Sequence, residues 1–217
     1  MDPLSLHADA SRPALVHGAV LPWQASPSAG VERRLLERVG GEVALATSIV
    51  RYAPHSHFAP HEHGAGEEFL VLEGVFSDEH GDYPPMTYVR NPPGSVHSPR
   101  STRGCTIFVK LRQMAATDRQ RVVVPTEPEL SRRQVLHRAA SLSVELHHLP
   151  PGGTLELDAR HGGEELFVCE GSAAAQGIDL QRWSWWRRPA HEGCGVLTSS
   201  TGATVWLKRG HLDRVAG

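Results

Sequence analysis

Cysteine is scarce in this chain: Cys105, Cys169 and Cys194 are the only three in 217 residues. Their number is odd and none forms a C-x2-C pair. That excludes a disulfide framework and a cysteine zinc finger, and it fits a reduced, cytoplasmic protein. No apolar run approaches the roughly 18 residues of a membrane span. The opening MDPLSLHADASRP lacks the basic start and apolar core of a secretory signal. An excess of one charge is also missing. Lys and Arg total 22 against 24 Asp and Glu, a net charge of −2, so nothing pulls the molecule toward nucleic acid or a membrane surface.

What the chain does have is turn residues, with 21 Gly and 16 Pro. They punctuate short strand-like runs at Arg34–Arg38, Glu42–Tyr52, Glu68–Val75, Thr87–Arg90 and Thr106–Leu111. Short strands at this spacing predict an all-β sandwich or barrel. Residues 1–20 carry no sustained periodicity and read as an extended or loose arm. Phe69-Leu70-Val71-Leu72 is apolar at every position, so both faces of that strand must be covered.

The chemistry lies in PHEHGAGEEFLVLEGVF and the later YVRNPPGSVH. His61, His63, Glu67 and His97 offer three imidazoles and one carboxylate, a donor set suited to a divalent transition metal. His61 and His63 are two apart, so on a strand they share a face. Glu67 would lie roughly 13 Å further along a straight strand, whereas ligands to one ion sit about 2.0–2.2 Å from it. The chain must therefore turn back between His63 and Glu67, and Gly64-Ala65-Gly66 supplies the turn. Pro92-Pro93-Gly94 predicts a second tight turn that delivers His97 from another strand. With 14 His in the chain, some pairs arise by chance. His55, His57, His80, His147, His148 and His211 are assigned no metal role.

H-x-H-x3-E-x6-G followed by P-x-G-x2-H resembles the two signature motifs of the cupins. GEEFLVLEGVFSDEHGDYP, TYVRNPPGSVHSP and GCTIFVKL are more specific, and are similar to the ChrR-type cupins over about residues 52–111. These comprise the cupin half of the zinc-dependent anti-sigma factor ChrR and its stand-alone relatives. The resemblance implies metal ligands at His61, His63, Glu67 and His97. The chain departs from the general pattern at His55 and Met86, where glycine is expected, and at Ser101, often asparagine.

A second copy follows at an offset of about 97 residues. GAGEEFLVLEG at 64–74 matches HGGEELFVCEG at 161–171, and RGCTIFVK at 103–110 matches TGATVWLK at 201–208. The fold expected is therefore two tandem cupin barrels (double-stranded β-helix, jelly-roll-like): an arm at 1–20, a metal-binding barrel at 21–118 and a degenerate barrel at 119–217. Val122-Val123-Val124, near the join, reads as a strand exchanged between the halves. In the second copy His61 becomes Asp158, His63 becomes Arg160 and His97 becomes Gly195, leaving Glu164 alone of the four. Glu164 with Arg160 reads as an ion pair. Asp158, His161, Glu164 and His191 form a weaker, unorthodox metal candidate.

Arg182-Trp183-Ser184-Trp185-Trp186-Arg187-Arg188 mixes aromatic and basic residues, as a nucleic-acid surface can. Its place in the repeat makes it a barrel strand instead. Cys105 reads as a buried small hydrophobe and Cys194 as the more exposed thiol. Tyr52, Tyr83, Tyr88, Arg90 and Arg100 are expected near the first pocket.

The resemblance implies a ChrR-like bicupin with one divalent metal per chain, zinc first, with Fe(II), Mn or Ni as alternatives. A small-ligand or oxidative-stress responsive sensor is the leading expectation, with a small molecule or oxidant as signal and a protein as partner. Neither nucleic acid nor membrane is a direct partner, and the chain is a monomeric bicupin or a homodimer. The ChrR anti-sigma activity belongs to a separate helical domain with a C-x2-C, which this sequence lacks. A dioxygenase acting on a small, diketone-like substrate is the alternative, and a structural metal barrel serving as an interaction module is a third.

Overall fold

A computed structural model describes residues 4–41, 43–126 and 132–214; the expected strand start at Glu42 lies outside the described residues. No α-helix occurs among them, only strands and three 3-10 turns. The chain divides into two units, Met1–Ala8 with Pro22–Thr126, and Asp9–Leu21 with Glu127–Gly217.

In the first unit one sheet runs in the order Leu4–Leu6, Val31–Gly40, Leu45–Tyr52, Cys105–Leu111, Glu67–Gly74, Thr87–Asn91, Val122–Pro125. A smaller sheet joins Gly81–Tyr83, Phe76–Asp78, Arg100–Ser101 and Ser56–His57, and a two-stranded ribbon pairs His61–His63 with Ser95–His97. The core between them holds Phe69, Val71, Phe76, Val89, Ile107 and Val109. Strand alternation sends Phe69 and Val71 inward. Leu70 and Leu72, on the opposite face, are also buried, as their all-apolar run requires.

The second unit repeats this plan. Its main sheet runs Arg133–Ala139, Leu142–Leu149, Ala203–Arg209, Glu164–Ala175, Ser184–Arg188, Ala14–His17. Leu166, Val168, Trp186, Leu197, Val205 and Leu207 fill its interior. Trp185 is fully buried and Trp183 nearly so, which makes the tryptophan-arginine run core. The duplication reaches single residues. Gly74 and Gly171 both have left-handed backbone, at φ 71° and 74°. A Cβ at either would overlap the carbonyl oxygen of Gly104 or Gly202. Met86 and Trp183 share φ 64°, and His55 sits at φ 60°, so two departures from the cupin pattern fall where glycine is least strained.

Two expectations change. Of the extended or loose arm expected at the N-terminus, the described part is extended and not loose: Leu4–Leu6 pairs with Val31–Gly40, and Ala14–His17 pairs with Ser184–Arg188. Val122–Pro125 is not exchanged; it pairs with Thr87–Asn91 inside the first unit, which runs to Thr126 rather than 118. The strand supplied from a distant part of the sequence is Ala14–His17. It takes in the second barrel the place that Val122–Pro125 takes in the first. Edge strands pair through backbone groups, so side-chain periodicity marks such exchanges poorly.

Candidate metal centre

The His61–His63 and Ser95–His97 ribbon places His61 directly opposite His97. The two turns expected from the sequence are present. Gly66 N–H donates to the His63 carbonyl at 3.0 Å, and Ser95 N–H donates to the Pro92 carbonyl at 3.0 Å. Gly94 N–H also donates to the His63 carbonyl at 3.0 Å, tying the two turns together. Gly66 has φ 79°, and a Cβ there would stand 2.5 Å from the Met114 sulfur, so glycine makes this reversal with least strain. The strand then restarts at Glu67, with its buried carboxylate beside the histidines.

The three imidazoles form a near-equilateral set, with ring centroids 4.9, 5.1 and 4.8 Å apart. Their ligand atoms all lie within 4.8 Å of one another. Nε2 of His63 and Nε2 of His97 are 2.9 Å apart. The Glu67 Oε2 lies 3.5 Å from the first and 3.6 Å from the second. Two of the far ring nitrogens are tethered. His61 Nδ1 lies 3.1 Å from the Ala59 carbonyl, and His97 Nδ1 lies 3.4 Å from Asp78 Oδ2. A neutral imidazole that donates from Nδ1 keeps its Nε2 lone pair for a metal. The donor set thus fits a divalent transition ion, with His61, His63 and His97 as nitrogen donors. His61 is exposed and His97 buried, so the cluster spans from solvent to the barrel interior.

Sequence reasoning missed two neighbours. Asn91 Nδ2 donates to Glu67 Oε2 at 3.2 Å, because the register sets Asn91 opposite Glu67. Asp78, 1% exposed, accepts from Tyr83 Oη at 2.9 Å and from His80 N–H at 2.8 Å besides facing His97. Asn91 could have been read from its place at the strand end before Pro92. Asp78 needs the pairing of Phe76–Asp78 with Arg100–Ser101, which no local pattern shows.

Burial pulls the His63 imidazole below its ordinary value; Glu67 opposes this and the other two imidazoles add to it. Burial also pulls on His97, but the hydrogen bond to Asp78 and the charges of Glu67, Asp78 and Glu79 raise it overall. Burial would raise Asp78; the donors His97, His80 and Tyr83 bring it below the usual carboxylate range instead. The Tyr83 hydroxyl is pushed up to about 12 by burial and by Asp78.

The other residues expected near the pocket divide by strand face. Tyr52 packs against Phe58 and Phe76 at 5.4 and 5.5 Å, and Phe76 lies 6.0 Å from His97, so an aromatic wall backs the cluster. Tyr88 and Arg90 point away. Tyr88 donates to Glu68 at 2.7 Å, and Arg90 pairs with Asp118 at 2.5 Å rather than with Glu68 or Glu73. Arg100 is exposed.

In the second barrel the equivalent position is closed by ion pairs. Glu164 accepts from Arg188, the register equivalent of Asn91, and from Arg209 Nε at 3.0 Å, the equivalent of Leu111. Arg160 instead pairs with Asp158 at 2.9 Å, correcting the expected Arg160–Glu164 pair. Asp158 faces Cys194, so Cys194 and not Gly195 stands where His97 does. His161 and His191 join no cluster; among the described residues the only three-residue metal group is that of His61, His63 and His97.

Residues 11–115 match the ChrR cupin-like domain family. A search of curated protein sequences finds no match. Among solved structures, the nickel(II)-bound bacterial pirin YhhW of Escherichia coli superposes with a TM-score of 0.72 at 10% identity, covering 91% of this chain and 98% of that one. YlbA of Escherichia coli gives 0.70 at 13% identity, covering 96% and 93%. A candidate dioxygenase from Nostoc punctiforme gives 0.72 at 14% identity, covering 92% and 84%. Identities this low carry the fold alone. Two barrels related residue by residue, and a family match spanning the histidine cluster, lead to one assignment: the chain has a bicupin fold whose residues 11–115 match the ChrR cupin-like domain.

Proposed function

We propose that the first barrel holds one divalent transition-metal ion through His61, His63, Glu67 and His97, and that this centre receives a small oxygen-donor ligand. One observation carries the reading. The Nε2 atoms of His63 and His97 converge on the Glu67 carboxylate, while the far nitrogens of His61 and His97 face acceptors. When bound, the ion supplies Lewis acidity toward an oxygen ligand. The protein's own part is to hold the donors, expose the His61 side to solvent, and set the Tyr52, Phe58 and Phe76 wall behind them.

The match to the ChrR cupin-like domain supports a sensor, in which a small ligand or oxidant at the centre alters contact with a partner protein. Zinc is the ion this reading favours. The fold likeness to a candidate dioxygenase supports the second reading, a metal-dependent oxygenase using iron, manganese or nickel. The described residues include no helix long and apolar enough to cross a membrane. We place the protein in the cytoplasm, as a monomer or homodimer that does not contact nucleic acid directly.

Loading the metal-stripped chain with zinc, Fe(II), manganese or nickel and measuring retention after dialysis separates the readings. Selective zinc retention, with no oxygen uptake in a panel of small oxygenated compounds, supports the sensor. Oxygen uptake that requires iron, manganese or nickel supports the oxygenase. Retention of no metal overturns both.

A further inference from the structure

A relay of side chains runs from the surface to the histidine cluster. Arg121 Nη2 donates to Tyr83 Oη at 2.8 Å, and Tyr83 Oη donates to Asp78 Oδ1 at 2.9 Å. His80 N–H donates to the same Oδ1 at 2.8 Å. The other oxygen, Oδ2, faces His97 Nδ1 at 3.4 Å. Asp78 comes from the Phe76–Asp78 strand, not from the ribbon that carries His97. It is therefore an independent anchor for that ring.

We propose that Asp78 is a positioning residue for metal binding: it holds His97 in the Nδ1–H tautomer, with Nε2 turned toward His63 and Glu67. This rests on the reading of His97 as a metal ligand. The argument is one of donors and acceptors. A carboxylate oxygen can only accept, so the imidazole nitrogen facing it must carry the hydrogen. The proton then sits on Nδ1, and the Nε2 lone pair is left to accept, from His63 Nε2 at 2.9 Å in the metal-free chain or toward a metal ion. Outer partners of this kind fix the tautomer and ring angle of metal-bound histidines.

The two donors on Oδ1 make the inference testable by an isosteric change. In Asp78→Asn, Tyr83 Oη and His80 N–H still require an acceptor, so the amide oxygen must stay at Oδ1. The amide NH2 group then occupies the Oδ2 position and presents a hydrogen to His97 Nδ1. That favours the opposite tautomer, with the hydrogen on Nε2, where the metal would bind. Tyr83→Phe removes one donor to Oδ1 but leaves Oδ2 unchanged, so its effect must be smaller.

The experiment uses the full chain, stripped of metal, with Co(II) as probe in competition with a chelator. The His97 ring nitrogens are followed by NMR at about pH 9, where imidazole is neutral. Wild-type His97 should show the Nδ1–H tautomer and Asp78→Asn the Nε2–H tautomer, with Co(II) affinity about 10–100-fold lower in the variant. Tyr83→Phe should keep the wild-type tautomer. An unchanged tautomer in Asp78→Asn, or affinity within about twofold of wild type, overturns the proposal. If Asp78→Asn fails to fold, a wild-type Nε2–H tautomer overturns it and an Nδ1–H tautomer supports it. A wild-type chain that binds no Co(II) while showing the expected tautomers refutes the metal reading and leaves the Asp78–His97 orientation standing.

Discussion

Glu164 occupies in the second barrel the position that Glu67 holds in the first, and the two carboxylates meet opposite kinds of partner. Glu67 faces the imidazoles of His63 and His97 and a neutral amide from Asn91. Glu164 is enclosed by the guanidinium groups of Arg188 and Arg209. One barrel therefore leaves its buried carboxylate among imidazoles and a neutral amide, as the proposed metal centre requires, and the other satisfies it with cations of its own.

Removing that carboxylate should separate the two roles. Glu164→Gln leaves two guanidiniums facing a neutral amide, one of them on a fully buried side chain. Breaking a buried pair in this way costs about 3–5 kcal/mol. Denaturant unfolding should show this loss, while the metal content stays at wild-type level. Glu67→Gln should do the reverse, lowering metal retention with a smaller change in the stability of the metal-free chain.

The turn before Glu67 gives a second test. Gly66→Ala forces a side chain onto φ 79° and within 2.5 Å of the Met114 sulfur. Left-handed strain of this kind costs of order 1–3 kcal/mol. The variant should melt at lower temperature and lose metal, because the reversal that returns Glu67 to the histidines is displaced. Adding Met114→Ala should relieve most of the clash, leaving a 3.1 Å contact with the residue 114 Cβ and the backbone strain, and so restore only part of the loss.

These two sites show where local pattern sufficed. The His61–His63 pair, the glycine turn and the proline turn before His97 are short-range features, so the first cluster was legible from spacing. Asp78 was not, because its contact with His97 depends on a strand pairing between distant segments. Nor were Arg188 and Arg209, whose meeting on Glu164 is set by the register of three strands. The assignment of Gly195 to the His97 position failed by one residue, since alignment on Gly202 ignored the register that sets Cys194 opposite Asp158. Ala14–His17 escaped notice because its partner strand lies at Ser184–Arg188.

Acidity should act on the first barrel through His97. Its value is raised, so in the metal-free chain the charged ring stabilises the fold below its unfolded value, near 6.5. That contribution is lost as pH rises through the higher folded value. Metal binding needs the neutral ring and runs the other way. Compared with His97→Gln, which cancels the opposite contribution of His63, the metal-free chain should therefore lose stability in melting curves as pH rises above the unfolded value, while the metal-stabilised increment grows. Parallel curves for the two forms would contradict this.

Acid should also weaken the second barrel through Glu145. Although burial opposes it, His147 at 2.9 Å and Arg133 at 2.6 Å hold the Glu145 carboxyl far below its ordinary value. A depressed carboxyl contributes stability above its unfolded value, near 4.5, and loses it as pH falls through the folded value. Arg133 is half exposed, so Glu145→Gln should cost only about 1.5–3 kcal/mol at neutral pH. The stabilities of variant and wild type should draw together in acid.

The central claim is one metal ion in the first barrel and none in the second, and the most direct test is elemental analysis of the chain purified without chelators. The account predicts about one transition-metal ion per chain, almost none in His63→Ala, and wild-type content in Arg160→Ala. Two ions per chain, or full occupancy in His63→Ala, would contradict it.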